Sequence, residues 1–306
     1  EILWNDGPNL KSLDTLLAKQ NLAPQELGKG RNVWYCMGYI LSVGKAEAVA
    51  LHDCDIVTYS RSLLARLVYP VANPKFNFDF CKGYYPRVSE NKVKGRVARL
   101  LVTPLLRALE KTIGFNEFIS FVDSFRYPLA GEFSFRRRVL KDIRIPYDWG
   151  LEIGVLSEMF RNYAGNRLCQ VDIADNYDHK HQDIFFDDNS KGLSKMSIDI
   201  IKVIIRKLAS QGEPFSMSIF RSLKATYYRE ALDFVQIYKK DALMNAYDID
   251  VHEEETAVEL FAKNIMVAGQ VFLDSPMESP NIPTWNRVDT ALPGFLNDLR
   301  KAVELD

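Results

Sequence analysis

The feature that most restricts the fold is the run Ala46–Leu51, apolar except for Glu47, which stops abruptly at His52-Asp53-Cys54-Asp55. A short apolar run of this kind reads as a strand covered on both faces, the kind found in α/β sheets. Upstream, Ile2–Trp4 reads as a short strand ending in the turn Asn5-Asp6-Gly7-Pro8. Leu10, Leu13, Leu16 and Leu17 then recur at helical spacing, and a second helix follows from Arg31 to Ser42, after the loop Gly28-Lys29-Gly30. The order strand, helix, helix, strand predicts an α/β sheet with parallel strands. Further strands are expected at Phe78–Tyr85 and, buried, at Cys169–Ile173. Helices are expected at Gly95–Leu109 and at Gly150–Arg161, with Leu151, Val155, Leu156 and Met159 on one side. Phe125–Leu129 leads into a turn at Gly131-Glu132-Phe133.

After residue 190 the pattern is helical: Ile198, Ile201, Ile205 and Leu208 form one stripe, and Phe220–Lys239 and Glu253–Gln270 form two more. Pro276, Pro280, Pro283 and Pro293 mark an extended wrap before a last helix, Gly294–Val303. The chain is therefore expected to divide into an α/β part, 1–187, and a mainly helical C-terminal region, 188–306, serving as an appended subdomain or dimerisation element. At 306 residues, 47% hydrophobic and 26% charged, it buries a substantial core and is not a disordered chain. A formal charge of −1 gives no global attraction for nucleic acid or an anionic membrane. The apolar runs fall short of the ~20 residues of a bilayer span, so a soluble protein is expected. Four widely spaced cysteines without a C-x-x-C pair suit a reduced, cytoplasmic setting. The chain opens on Glu1 rather than Met, which leaves room for a preceding segment.

Three groups of residues carry chemistry. Asp53 and Asp55 sit where an apolar strand ends, the position at which open α/β sheets collect ligands. Two carboxylates spaced so can share a hard divalent cation that also bridges a diphosphate, or can be an acidic loop. Asp178-His179-Lys180-His181 follows the strand Cys169–Ile173 and holds half of the four histidines. It suits a mixed nitrogen and oxygen site for Mg²⁺ or Mn²⁺, or a solvated polar loop. Lys29, Lys82, Arg87, Lys92, Lys94, Arg96 and Arg99 form a local basic set beside the helix start at Gly95, suited to a phosphate-bearing ligand or to solvent. Glu132 and Glu152, each near a glycine, are candidate acceptors for substrate hydroxyls; Glu152 is equally a helix-start charge. Phosphate loops, dinucleotide fingerprints, G-x-S-x-G and H-E-x-x-H are all absent, which removes the main support for kinase, nicotinamide-enzyme, hydrolase and zincin readings.

Taken in order, Gly28-Lys29-Gly30-Arg31-Asn32-Val33-Trp34, Asp53-Cys54-Asp55, Lys82-Gly83-Tyr84-Tyr85-Pro86-Arg87, Gly95-Arg96-Val97, Pro128-Leu129-Ala130-Gly131-Glu132-Phe133, Gly150-Leu151-Glu152-Ile153-Gly154 and Asp178-His179-Lys180-His181 resemble the glucosyl-3-phosphoglycerate synthases. The resemblance runs from about Ile2 to Ile184. It implies a retaining glycosyltransferase with a GT-A-type nucleotide-sugar-binding sheet flanked by helices, UDP-glucose as donor, 3-phosphoglycerate as acceptor, Mg²⁺ or Mn²⁺, a homodimer and a role in compatible-solute synthesis. By the same resemblance Asp53, Asp55 and His179 hold the metal. Lys29, Asp53, Asp55, Leu129 and Glu152 bind the donor, with Leu129 and Glu152 on the glucose. Gly95, Arg96, Ala98 and His181 receive the acceptor, with Arg96 on its phosphate. Glu152 and Asp55 are the catalytic residues, Glu152 by positioning.

The sequence departs from the family pattern at Ala98, where the family has Thr, and around the metal histidine, where it has Tyr177 and His181 in place of Arg and Asn. No strand with Pro-x-x-x-Glu precedes Ile2, so the first nucleotide-binding strand is expected to be missing. Retention without an obvious nucleophile favours attack from the face of departure, with a leaving phosphate oxygen taking the acceptor proton. The alternatives are a sister transferase using GDP-mannose or another nucleotide sugar, or glycerate as acceptor, and a non-catalytic binding protein of the same fold.

Overall fold

Aromatic and small residues alternate along neighbouring strands, and that alternation sorts the two faces of the central sheet. The computed structural model describes residues 1–24, 26–178, 192–276 and 281–306. Its strands in chain order are β1 (Ala48–Leu51), β2 (Phe80–Tyr84), the short hairpin β3 (Val88–Ser89) and β4 (Lys92–Val93), β5 (Phe133–Arg136) and β6 (Leu168–Asp172). The central sheet has the order β1-β5-β2-β6, with β5 antiparallel to both neighbours and β2 parallel to β6. β1, β2 and β6 thus run in one direction, as the sequence predicts, and β5 is inserted against them.

Three expectations need correction here. The turn expected at Gly131-Glu132-Phe133 ends one residue earlier, because Phe133 already pairs with Leu51 and Lys82 in β5. β1 and β6 are half-buried rather than covered on both faces, since they are the outer strands of this sheet among the described residues. Ile2–Trp4 forms no strand either. Ile2 and Trp4 are 65% and 54% exposed, and the backbone turns back at once through a Gly7 N–H to Trp4 carbonyl bond of 3.1 Å.

Helices cover both faces. Of α1 (Pro8–Lys19), α2 (Lys29–Val43) and α3 (Arg61–Ala72), the last is unannounced in the sequence and carries an internal Pro70. It lays Leu63, Leu67 and Val71 on the face that presents Cys81, Ala130 and Ile173. The opposite face, with Phe80, Phe133 and Phe135, joins a larger core containing Val33, Met37 and Leu151. The helix expected at 95–109 begins as a π-helical stretch, Val97–Val102, and continues as α4 (Thr103–Ile113). α5 (Glu117–Asp123) starts on Asn116, whose side chain accepts the Phe118 and Ile119 N–H groups, and α6 (Leu151–Asn162) follows β5.

The later helices are α7 (Gly192–Ser210), α8 (Met217–Met244), α9 (Val251–Asp274), α10 (Trp285–Ala291) and α11 (Phe295–Leu305). They add Ile201, Phe220, Phe261 and Trp285 to the core that holds Val33 and Leu151. α9 is long and apolar enough to cross a bilayer, but 56% of its apolar window is buried inside the protein. The Trp285 ring stacks on Trp34 of α2 at 4.0 Å and donates its indole N–H to the Trp34 carbonyl at 3.1 Å, while Trp34 donates to the Pro283 carbonyl at 2.9 Å. The tail therefore clasps the helix that begins with Lys29.

Asp148, just before α6, and Asp199, in α7, are 7% and 2% exposed. Asp148 accepts the Gly150 N–H at 2.9 Å, and Lys202 lies 2.9 Å from Asp199. Burial first, and then the negative charge of Asp199, push the Asp148 carboxyl up to about 6. In the unfolded chain it titrates near ~3.9. The folded state therefore holds a proton that the unfolded state releases, and stability falls as pH rises from about 4 to about 6. Asp148→Asn removes this cost while keeping an acceptor for Gly150. We expect it to raise stability at pH 7.5 by about 1–3 kcal/mol and to leave it unchanged at pH 4. Urea unfolding at the two pH values checks the crossover; an equal gain at both would remove the titration as its cause.

Candidate functional site

Lys29 is the first residue of α2, where a cation opposes the helix dipole. It is held there by acids from two other elements. Its ammonium donates to Asp53, two residues beyond β1, and to Glu152, in the first turn of α6, at 2.9 Å. Burial alone would lower the Lys29 pKa, but the charges of Glu152 and Asp53 outweigh it and raise the pKa well above the usual lysine value. The junction is possible because Gly30 lies flush against the segment leading to α6: a Cβ there would stand 1.8 Å from the Pro146 carbonyl oxygen. Asp55 is half-buried, two residues past Asp53.

Behind this junction lies Glu132, fully buried and raised in pKa by burial and by the charge of Asp53. It accepts the Tyr85 hydroxyl at 2.8 Å, the Tyr177 hydroxyl at 2.7 Å and, at 3.4 Å, the Asp53 N–H. Its oxygens are thus engaged within the protein, and the expected role as acceptor of a substrate hydroxyl is left to Glu152. Tyr85 and Tyr177 stack face to face, 3.5 Å apart at 11°. Lys82 is not part of a solvated basic loop. It is 1% exposed, donates to the Ala130 carbonyl at 2.5 Å and lies over the Phe133 ring, with burial lowering its pKa to about 8. Leu129 is half-buried in the loop between Ala130 and α5 and packs against the main core.

Gly95 and Ala98 line a cavity of about 200 Å³ beside the Tyr127-Pro128 segment. Arg96 and Arg99, expected near a phosphate, turn instead to α9: Arg96 lies 3.1 Å from Glu253 and 3.2 Å from Glu254, and Arg99 grips Glu254 with two nitrogens at 2.7 and 3.1 Å. His179 and His181 lie outside the described residues. Among the described residues, no three His, Cys, Asp or Glu side chains come together for a metal. The sequence reading missed Tyr85, Tyr127 and Arg126 as site residues; the doubled Tyr84-Tyr85 within a motif was the available signal.

No protein-family model matches the chain. The glucosyl-3-phosphoglycerate synthase of Persephonella marina is 45% identical over 306 residues, covering 100% of this chain and 75% of its own length. The chain belongs to the glucosyl-3-phosphoglycerate synthases. The synthase of Methanococcoides burtonii is 37% identical over 309 residues, with the same coverage of 100% and 75%. A crystal structure of glucosyl-3-phosphoglycerate synthase from Mycobacterium tuberculosis in complex with Mn²⁺, UDP-glucose and phosphoglyceric acid is 23% identical, covers 63% of this chain and 58% of that one, and has a TM-score of 0.46. As in any synthase of this class, chemistry requires a donor and an acceptor to meet. Here the Lys29 junction and the Gly95–Ala98 cavity flank the same loop from Tyr127 to Glu132.

Proposed function

We propose that this synthase transfers glucose from UDP-glucose to 3-phosphoglycerate, releasing UDP and glucosyl-3-phosphoglycerate. The observation that carries the proposal is the meeting of Lys29, Asp53 and Glu152, drawn from three separate motifs onto one point. Relatives bearing that name at 45% and 37% identity over the whole chain support it.

The donor chemistry of the site fits a hard divalent cation. Asp53 and Asp55 offer carboxylate oxygens past a strand end, and Asp53 already holds one positive charge, the Lys29 ammonium. Two carboxylates suffice, because Mg²⁺ is commonly held by one or two carboxylates plus substrate phosphates rather than by an all-protein cage. Asp53 and Asp55 would hold the ion, with His179 as a third ligand, and when bound it offsets charge on a departing diphosphate. Lys29 places a second positive charge beside the same leaving group. Glu152, fixed by Lys29 and by α6, orients a glucose hydroxyl next to Leu129, which supplies the apolar side of the sugar site. Gly95 and Ala98 belong to the acceptor wall, with His181 the further expected contact. Glu152 acts by position, and we infer a retaining course in which a leaving phosphate oxygen takes the acceptor proton.

Among the described residues the four cysteines are free thiols. This supports a reduced, cytoplasmic setting for synthesis of a compatible solute. Family resemblance supports a homodimer. Release of the nucleoside diphosphate, UDP from UDP-glucose or GDP from GDP-mannose, with each donor offered 3-phosphoglycerate or glycerate and Mg²⁺ or EDTA, tests the assignment. Turnover is expected only for UDP-glucose with 3-phosphoglycerate and metal. A preference for GDP-mannose, or indifference to EDTA, overturns it.

A further inference from the structure

Arg87 is half-buried, and it is the one residue of the basic stretch with a side-chain nitrogen, Nη1, that is shut off from solvent and makes no hydrogen bond among the described residues. It is instead surrounded by aromatic faces, with its guanidinium carbon 6.0 Å from the Tyr85 ring, 5.7 Å from Tyr127 and 6.0 Å from Tyr177. A buried, unpaired guanidinium nitrogen is costly unless a ligand completes it. Arg87 lines the cavity of about 200 Å³ together with Lys94, Arg99 and Arg126, and among the described residues no carboxylate lines that cavity. Arg99 is committed to Glu254, and Arg126 donates to the Tyr84 hydroxyl at 2.8 Å. Arg96 is held by Glu253 and Glu254 and does not line the cavity.

We infer that Arg87 grips the phosphate of the acceptor in this cavity, with Lys94 and Arg126 at its side, and that Arg96 serves as a clasp to α9. The inference rests on the acceptor being a phosphorylated acid, as proposed above. A planar fork with two or more free donors matches a phosphate monoester, and the anionic charge balances a wall lined by cations. The tyrosine cage fixes the fork. Tyr85 and Tyr177 are in turn held by Glu132, which also takes the Asp53 N–H, so the grip on the acceptor and the acid at the donor end share one support.

The test is calorimetric titration of 3-phosphoglycerate and of glycerate into the enzyme loaded with UDP and Mg²⁺, for the wild type, Arg87→Gln, Arg87→Lys and Arg96→Gln. Arg87→Gln should weaken 3-phosphoglycerate binding about 10- to 100-fold, leave glycerate binding unchanged and so erase most of the preference for the phosphorylated ligand. Arg87→Lys keeps the charge on one prong and should lose less; Arg96→Gln should keep the preference. UDP affinity, measured first, reports folding, and if Arg87→Gln loses it, the Lys variant decides. A preference that survives both Arg87 changes, or that vanishes only in Arg96→Gln, overturns the assignment. UDP release by the wild type is scored separately. A preference lost with Arg87 in an enzyme that releases no UDP keeps the grip and removes the transfer, whereas release with a preference indifferent to Arg87 does the reverse.

Discussion

Replacing Lys29 with methionine should lower kcat/KM for UDP release by about 10²- to 10³-fold, the range found when one preorganised electrostatic group is removed from an active site. The methionine keeps most of the side chain's volume and removes only the charge. Asp53 and Glu152 then lose the cation that both contact, and two acids drawn toward one point repel. Three things fail together: the positive charge beside the leaving diphosphate, the orientation of Glu152 and the geometry of Asp53. Lys29→Arg restores the charge in a wider, planar form and should recover part of the rate. The side chain of Lys29 is 29% exposed, so the change in thermal midpoint should be small beside the change in rate. A methionine variant retaining more than about a tenth of wild-type kcat/KM would show that the junction is structural rather than electrostatic.

The separate parts of that junction were legible before the fold was known. The apolar run into Asp53-Cys54-Asp55 announced a strand end with acids on it, and the 3.6-residue stripes of α7, α8 and α9 announced three long helices. Those signals are local. What could not be read was non-local pairing. β5 has four residues, behind a glycine, and gains its identity only by sliding between β1 and β2. α3 breaks a helix rule with Pro70, and its helical state is settled by packing of Leu63, Leu67 and Val71 on the sheet. Arg96 and Arg99 read as free phosphate ligands because Glu253 and Glu254, their partners, lie more than 150 positions away. Ile2–Trp4 has the composition of a strand but meets no strand to pair with among the described residues. In each case side-chain chemistry was visible and the partner was not.

Gly131→Ala should be nearly as damaging as losing Asp53 itself, although it adds a single methyl group and removes no charge. A Cβ on Gly131 would stand 2.3 Å from one Asp53 carboxylate oxygen and 2.6 Å from both its carboxyl carbon and its other oxygen. Such contacts are impossible, so something must move. If the carboxylate swings aside, Lys29 loses one of its two acids and the proposed metal site loses one of its carboxylates. If the loop moves instead, it drags Ala130, whose carbonyl anchors buried Lys82, and Glu132, which carries the tyrosine cage. Both routes reach the reacting groups, whereas the apolar core on either side of the sheet is untouched. We therefore expect turnover to fall about 10²-fold or more with a stability loss of only about 1–3 kcal/mol, the range for overpacking at a tight site. Metal dependence separates the routes. Displacement of Asp53 raises the Mg²⁺ concentration needed for half-maximal rate, and displacement of the loop lowers the rate at saturating Mg²⁺ without that shift. Wild-type kcat and metal response in Gly131→Ala would mean that the close approach of Asp53 to this loop has no part in catalysis.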